Sequence, residues 1–250
     1  MKIADILALL RTKAPEETAE SWDNPGLLVD SGREETDAVL VTLDITPAAI
    51  ERARALGAGL LVSHHPVIFR PVSHLDAADI PYRLAAAGIS AFAAHTNLDK
   101  AAGGVNDVLA ARLGLERVQT APDGMCRVGE LAEPLEARAF AERAAARLGT
   151  AVRFAGSGPV RRVGVCGGAG GDMWPALPGI DAFVTGEVKH HEWLDAARAG
   201  LTLVDAGHYA TEVLVVDTLC GWLREGFPGL RVEAFTGAAP YETLAVPGRA

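Results

Sequence analysis

Residues 59–66 read GLLVSHHP. A short apolar run leads straight into two adjacent imidazoles, His64 and His65, and Pro66 then stops it. The run lacks polar alternation, the pattern of a strand covered on both faces. A buried strand ending on two histidines bears on both the fold and the chemistry.

Comparable runs flank it. GLLVD (26–30), AVLVTLDI (38–45) and ISAFAA (89–94) read as strands, and TPAAIERARALG reads as a helix, with Thr46 as its cap and Pro47 at its first position. Such alternation predicts a largely parallel sheet covered by helices. The pattern pauses at QTAPDGM (119–125) and then resumes. CRVGEL (126–131), a helix at 133–149, AVRFAG, RRVGVCGGAGG, IDAFVTGE and LTLVDAG follow, then a long helix at about 210–225 and the strand LRVEAF. The expectation is an α/β protein of two lobes, 1–124 and 125–235, with mainly parallel sheets and a ligand site in the cleft between them. The tail 236–250 is expected to pack on the first lobe. Neither a repeat nor a low-complexity segment is visible.

Composition narrows the class. With 250 residues, 49% hydrophobic and 22% charged, the chain can bury a sizeable core. No apolar run approaches the roughly 18 to 20 residues needed to span a bilayer. The opening MKIADILALLRTKAPEE carries Asp5 within its apolar segment and reads as an amphipathic helix rather than a signal peptide. Cys126, Cys166 and Cys220 form no CxxC pair, which points to a reducing cytoplasm and away from disulfides or a thiolate zinc site. A net charge of −9 argues against a general polyanion-binding surface and makes nucleic acid a secondary partner.

Side chains alternate along a strand, so His64 and His65 are expected to face apart, each suited to its own metal ion. The plain alternative is two half-buried polar residues closing a strand. Other strand ends favour the metal. AAHTNLDK (93–100) places His95 and Asp99 beyond one strand, and VDAGHYATE (204–212) places Asp205, His208 and Glu212 beyond another. His208 and Glu212 are spaced i,i+4 and share a helix face, although Glu212 could equally complement the helix dipole. In open α/β sheets such groups gather beyond the carboxyl ends of the strands. An imidazole and carboxylate set without thiolate suits zinc, iron, manganese or nickel. Two such divalent ions would activate water, which makes hydrolysis the expected chemistry.

Three motifs say less. CGGAGG (166–171) lacks a P-loop Lys-Ser/Thr and reads as a tight turn rather than a phosphate cradle. In TGEVKHHEW (185–193), Glu187 could carry a proton, while Lys189, His190 and His191 could meet an anionic substrate; an exposed polar helix start is the alternative. His95 and Glu187 are thus the candidate catalytic residues. SWDNPGL (21–27) reads as a turn with Trp22 packed beside it.

SWDNPGLLVD, VSHHPVIF, AAHTNLD, VTGEVKHHEWLDA and DAGHYATE occur in the order found in Nif-three-like dinuclear metal centre proteins, also called type 2 GTP cyclohydrolase I homologues, and the chain resembles that family from about residue 2 onward. The resemblance implies His64, His65, Asp99, His208 and Glu212 as ligands of two metal ions, with Glu212 as the bridge. It implies two-lobed subunits in a toroidal homohexamer, and a GTP cyclohydrolase opening the guanine ring by hydration and loss of formate. The sequence shows neither a guanine pocket nor a triphosphate clamp. A phosphoesterase or amidohydrolase acting on another small molecule, or a metal-handling or DNA-binding ring, are the alternatives.

Overall fold

The structure, a computed structural model, describes residues 1–242. Its first part runs α1 (Ile3–Lys13), β1 (Gly26–Val29), β2 (Ala38–Thr42), α2 (Pro47–Leu56), β3 (Leu60–Ser63), α3 (Ile80–Ala86), β4 (Ser90–Ala93), α4 (Thr96–Lys100) and α5 (Val105–Leu113). There follow β5 (Glu116–Thr120), β6 (Arg127–Glu136), α6 (Ala137–Leu148), β7 (Arg153–Ala155), β8 (Pro159–Val165), β9 (Ala182–Thr185), α7 (His190–Ala199), β10 (Thr202–Asp205), α8 (His208–Glu212), α9 (Val215–Gly226) and β11 (Arg231–Phe235).

Every residue of β2 and β3 is buried, as expected for interior strands. Successive side chains go to opposite faces. Val39, Val41, Leu60 and Val62 join Ile6 and Leu10 of α1 and Leu219 of α9. Leu40 and Leu61 instead join Ile50 and Ala53 of α2 and Leu84 of α3. The helices therefore cover both faces of a sheet ordered β1-β4-β3-β2-β11. Its pairings are parallel except at the β1 edge. Thr46 caps α2 by accepting from the Ala49 N–H at 3.2 Å, and Pro47 occupies the first turn, as the sequence indicates.

The second sheet, β5-β6-β8-β9-β10-β7, corrects the expectation of mainly parallel strands. Only β8–β9 and β9–β10 pair in parallel; β5–β6, β6–β8 and β10–β7 are antiparallel. For β5 and β6 the reason is the connection at 121–126. Asp123 accepts from the N–H groups of Met125 and Cys126, closing a short turn, and a short turn joins antiparallel neighbours. That turn lies inside the second sheet, so the boundary read near residue 124 does not follow the sheets. Nor does 125–235 stay with the second sheet. The buried face of α9, with Val215, Leu219 and Leu223, packs against α1, and β11 pairs with β2.

Buried Arg127 on β6 ties the two parts together. Its guanidinium meets Asp107 and donates to the carbonyls of Lys100 and Ala101, which fixes the segment that follows Asp99. Of the C-terminal tail, Thr236 accepts at 2.8 Å from the Tyr209 hydroxyl; residues 243–250 lie outside the described residues. Among the described residues no helix is long and apolar enough to cross a membrane.

Candidate metal centre

The chain bends as soon as β3 ends at Ser63, and this overturns the expectation that His64 and His65 face apart. Their ring centroids are 4.9 Å from each other. The cause is a set of bonds just past the strand: His64 Nδ1 donates to Ala94 O at 2.9 Å, and Ser63 Oγ donates to His65 O at 2.8 Å. Alternation holds only while the ladder continues.

The other strand ends bring their groups to the same place. α4 begins three residues beyond β4 and carries Asp99; α8 begins three residues beyond β10 and carries His208 and Glu212. Ligand atoms of His64, Asp99 and Glu212 lie within 4.8 Å of one another, as do those of His65, His208 and Glu212. Glu212 thus belongs to both groups, and each of its oxygens faces a different histidine. Oε1 is 3.7 Å from His64 Nε2, whereas Oε2 is 3.0 Å from His65 Nε2 and 2.9 Å from His208 Nε2. A third grouping joins His95 to His64 and His65.

A cation would relieve a specific defect here. His64 Nε2 and Asp99 Oδ1 are buried without a hydrogen-bond partner, and His64 Nε2 stands 3.6 Å from Asp99 Oδ1. Buried polar atoms are nearly always satisfied, and imidazole nitrogen with carboxylate oxygen is a donor set suited to divalent transition metals.

The outer nitrogens support the same geometry. His65 Nδ1 donates to Asp44, His95 Nδ1 to Asp23 and His208 Nδ1 to Glu187, each at 2.7 Å. Together with the bond from His64 to Ala94 O, these contacts leave Nε2 as the inward atom on His64, His65 and His208. Metal-binding histidines are commonly oriented in this way. Asp23 lies in the stretch read only as a turn. Burial pushes its carboxyl upward, yet bonds from His95 and Thr96 outweigh that and hold it well below the usual carboxylate range.

The cluster's own charges shift the proton affinities of its members. Burial disfavours charge on His65, but Asp44 and Glu212 raise it to about 10. His208 rises against burial to about 9 through Glu212 and Glu187. Burial, with Glu212 beside it, pushes Asp99 up to about 6, while His64, His208 and His65 overcome burial to hold Glu212 well below the normal range. Both raised histidines are protonated at pH 8, and a ligand imidazole must be neutral. Divalent-ion uptake at pH 8 should therefore release protons. Titrations in buffers of different ionisation enthalpy measure this, and zero net release would contradict it.

The remaining sequence candidates go elsewhere. Glu187 is exposed and engaged with His208. His190 and His191 are exposed at the start of α7. Asp205 bonds to Arg153 and the Gly207 N–H instead of joining the cluster. In CGGAGG, the N–H groups of Gly167, Gly168 and Gly170 are taken by Asn106, Thr211 and Thr185, so the loop offers a phosphate little. Its role is closeness: a Cβ on Gly168 would sit 2.1 Å from Glu212 Oε1.

Strand-end histidines and carboxylates converging on two groups that share Glu212 define a class, a two-sheet α/β protein whose side chains can hold metal. A family model described as Duf34/NIF3 (NGG1p interacting factor 3) matches residues 1–239, and the chain belongs to that family. It is 34% identical over 229 residues to a Lactococcus lactis protein named GTP cyclohydrolase 1 type 2 homolog, covering 86% of this chain and 89% of the relative. A Streptomyces coelicolor protein of the same name is 37% identical over 232 residues, covering 84% and 81% respectively. Among solved structures, a Staphylococcus aureus hypothetical protein superposes with a TM-score of 0.89 at 29% identity, covering 98% of this chain and 99% of that one.

Proposed function

We propose that the protein is a hydrolase dependent on two divalent metal ions per chain, acting on a small molecule, with GTP the first substrate to test. The ions would sit in the cleft between the two sheets. His64 and Asp99 would hold one, His65 and His208 the other, and Glu212 would bridge them. The observation that carries this reading is the shared carboxylate, with one oxygen toward each histidine group. Bound there, divalent ions would lower the pKa of water and polarise the substrate atom under attack.

The chain's own residues would do the rest. Asp44 and Glu187 lock the imidazoles of His65 and His208 in orientation. Glu187 is then a positioning residue rather than a proton carrier. His95, with Nδ1 bonded to Asp23 and its ring 5.2 Å from that of His64, would move the proton. Ring opening of a guanine is the reaction suggested by the relatives' names. The resemblance also supports a homohexameric ring, and the unpaired cysteines a reducing cytoplasm; light scattering on the purified protein that gives a monomer would remove the ring.

The test is GTP turnover by metal-loaded protein, followed by formate release. Formate appearing only with metal present supports the cyclohydrolase. A fully metallated protein inert toward GTP discards that substrate, and a panel of phosphodiesters and amides then decides between the other hydrolases.

A further inference from the structure

Beside His208 lies a cavity of about 570 Å³, within the usual range for small-molecule sites. It is lined in part by Arg153, Lys189, Glu192, Asp205 and Tyr241, with Glu187 and His208 on the side of the metal groups. We propose that this cavity seats the substrate and that Arg153 and Lys189 grip an oxyanion group on it, a phosphoryl or carboxylate group, while its reacting end faces His208. The assignment rests on the hydrolase reading above.

The two cations of the lining can receive an anion. Asp205 and Glu192 are both buried, and each meets one cation from inside the wall, Asp205 with Arg153 and Glu192 with Lys189. Glu187 is committed to His208. Arg153 and Lys189 thus each have one carboxylate partner, and two divalent ions would offset the carboxylates of Glu187, Asp44, Asp99 and Glu212, so an anion held by the two cations would meet no large excess of negative charge. The cations also reach outward. The side chains of Arg153 and Lys189 are 69% and 73% exposed. A guanidinium carries five N–H donors and an ammonium three. Among the described residues, Arg153 gives one donor to Asp205 and Lys189 gives one to Glu192.

The donors are also held in place. Arg153 lies over the Trp193 ring at 5.8 Å, which limits how far its fork can swing. Lys189 occupies the N-cap position of α7, where the Glu192 carboxylate accepts its backbone N–H at 2.7 Å. Gly171 allows this close packing, because a Cβ there would lie 2.2 Å from Glu192 Oε2. His190 and His191, next along the chain, do not line the cavity. Of the three candidates in that motif, the cavity selects Lys189.

The test is calorimetric titration of metal-loaded protein with GTP, with metal content measured on each sample. Lys189→Gln and Arg153→Gln should each weaken GTP binding about tenfold or more, the scale of a lost charge-assisted hydrogen bond. Arg153→Gln leaves buried Asp205 without its cation, so Arg153→Lys serves as a second variant; it keeps the charge, loses the fork and should bind more weakly than the parent. Competition by inorganic phosphate that Lys189→Gln abolishes assigns a phosphoryl group, and the same result with succinate assigns a carboxylate. Unchanged GTP affinity in Lys189→Gln and Arg153→Lys at full metal content overturns the proposal, as does a parent that binds none of the three probes at millimolar concentration. GTP that binds through these residues without turnover supports the cavity and discards GTP hydrolysis. Turnover with an unchanged KM in both variants does the reverse.

Discussion

Glu212→Gln is expected to lose at least one metal ion per chain and all metal-dependent hydrolysis while remaining folded. The change keeps nearly the same volume and removes one negative charge from a carboxylate that faces both histidine groups. At an effective dielectric of about 20, two unit charges about 4 Å apart interact by about 4 kcal/mol, and for two divalent ions the product of charges multiplies the repulsion. A neutral amide cannot offset that. If Glu212 served only the helix dipole, the substitution would cost no more than about 1 kcal/mol of stability and leave metal content untouched. The two outcomes separate cleanly in elemental analysis beside circular dichroism. Full occupancy in the variant would remove the bridge.

Gly168→Ala should be nearly as damaging to the metal site, although the residue contributes no side chain. Its φ of +62 places it in the left-handed region, and a Cβ there would fall 2.1 Å from Glu212 Oε1. The backbone penalty alone is about 1–2 kcal/mol, too little to unfold a domain of ordinary stability. The contact is another matter, since Glu212 would have to move from between the histidines. Gly149 supplies the control: its φ is +66 and nothing lies within 4 Å of a Cβ placed there. Gly149→Ala should carry the same backbone cost and keep its metal. Metal affinity, measured by chelator competition, should fall at least tenfold in Gly168→Ala alone. Equal affinities in the two variants would contradict the packing argument.

Much of the fold was legible because local chemistry and burial agree. Thr46 and Pro47 mark the start of α2, and the unbroken apolar runs of β2 and β3 announce strands covered on both faces. The second sheet was harder. Asp123 and Gly124 sit in a hairpin turn, the same residue types that mark a linker, and only strand pairing tells the two apart. The apolar face of α9 carries no label for the sheet it covers, so its return to α1 could not be read from periodicity. The five metal-ligand candidates were visible as strand-end groups and in the motif order. Of the residues supporting them, Glu187 was a candidate in another role, and Asp44 and Asp23 were not. Asp44 lies two residues beyond β2, on the same rim, and that position was the available signal. Asp23 was concealed by turn chemistry that it also serves, and its tie to His95 crosses 72 residues of chain. Gly168 could be assigned only once Glu212 was known to lie beneath it.

The shared use of Glu212 makes a numerical demand on the intact protein. Protein stripped with chelator, reloaded with one divalent transition metal and freed of excess should be measured by elemental analysis against chain concentration. The expected result is two ions per chain, both lost together in Glu212→Gln. One ion per chain at saturation, or two that persist without the carboxylate, would contradict a centre bridged by Glu212.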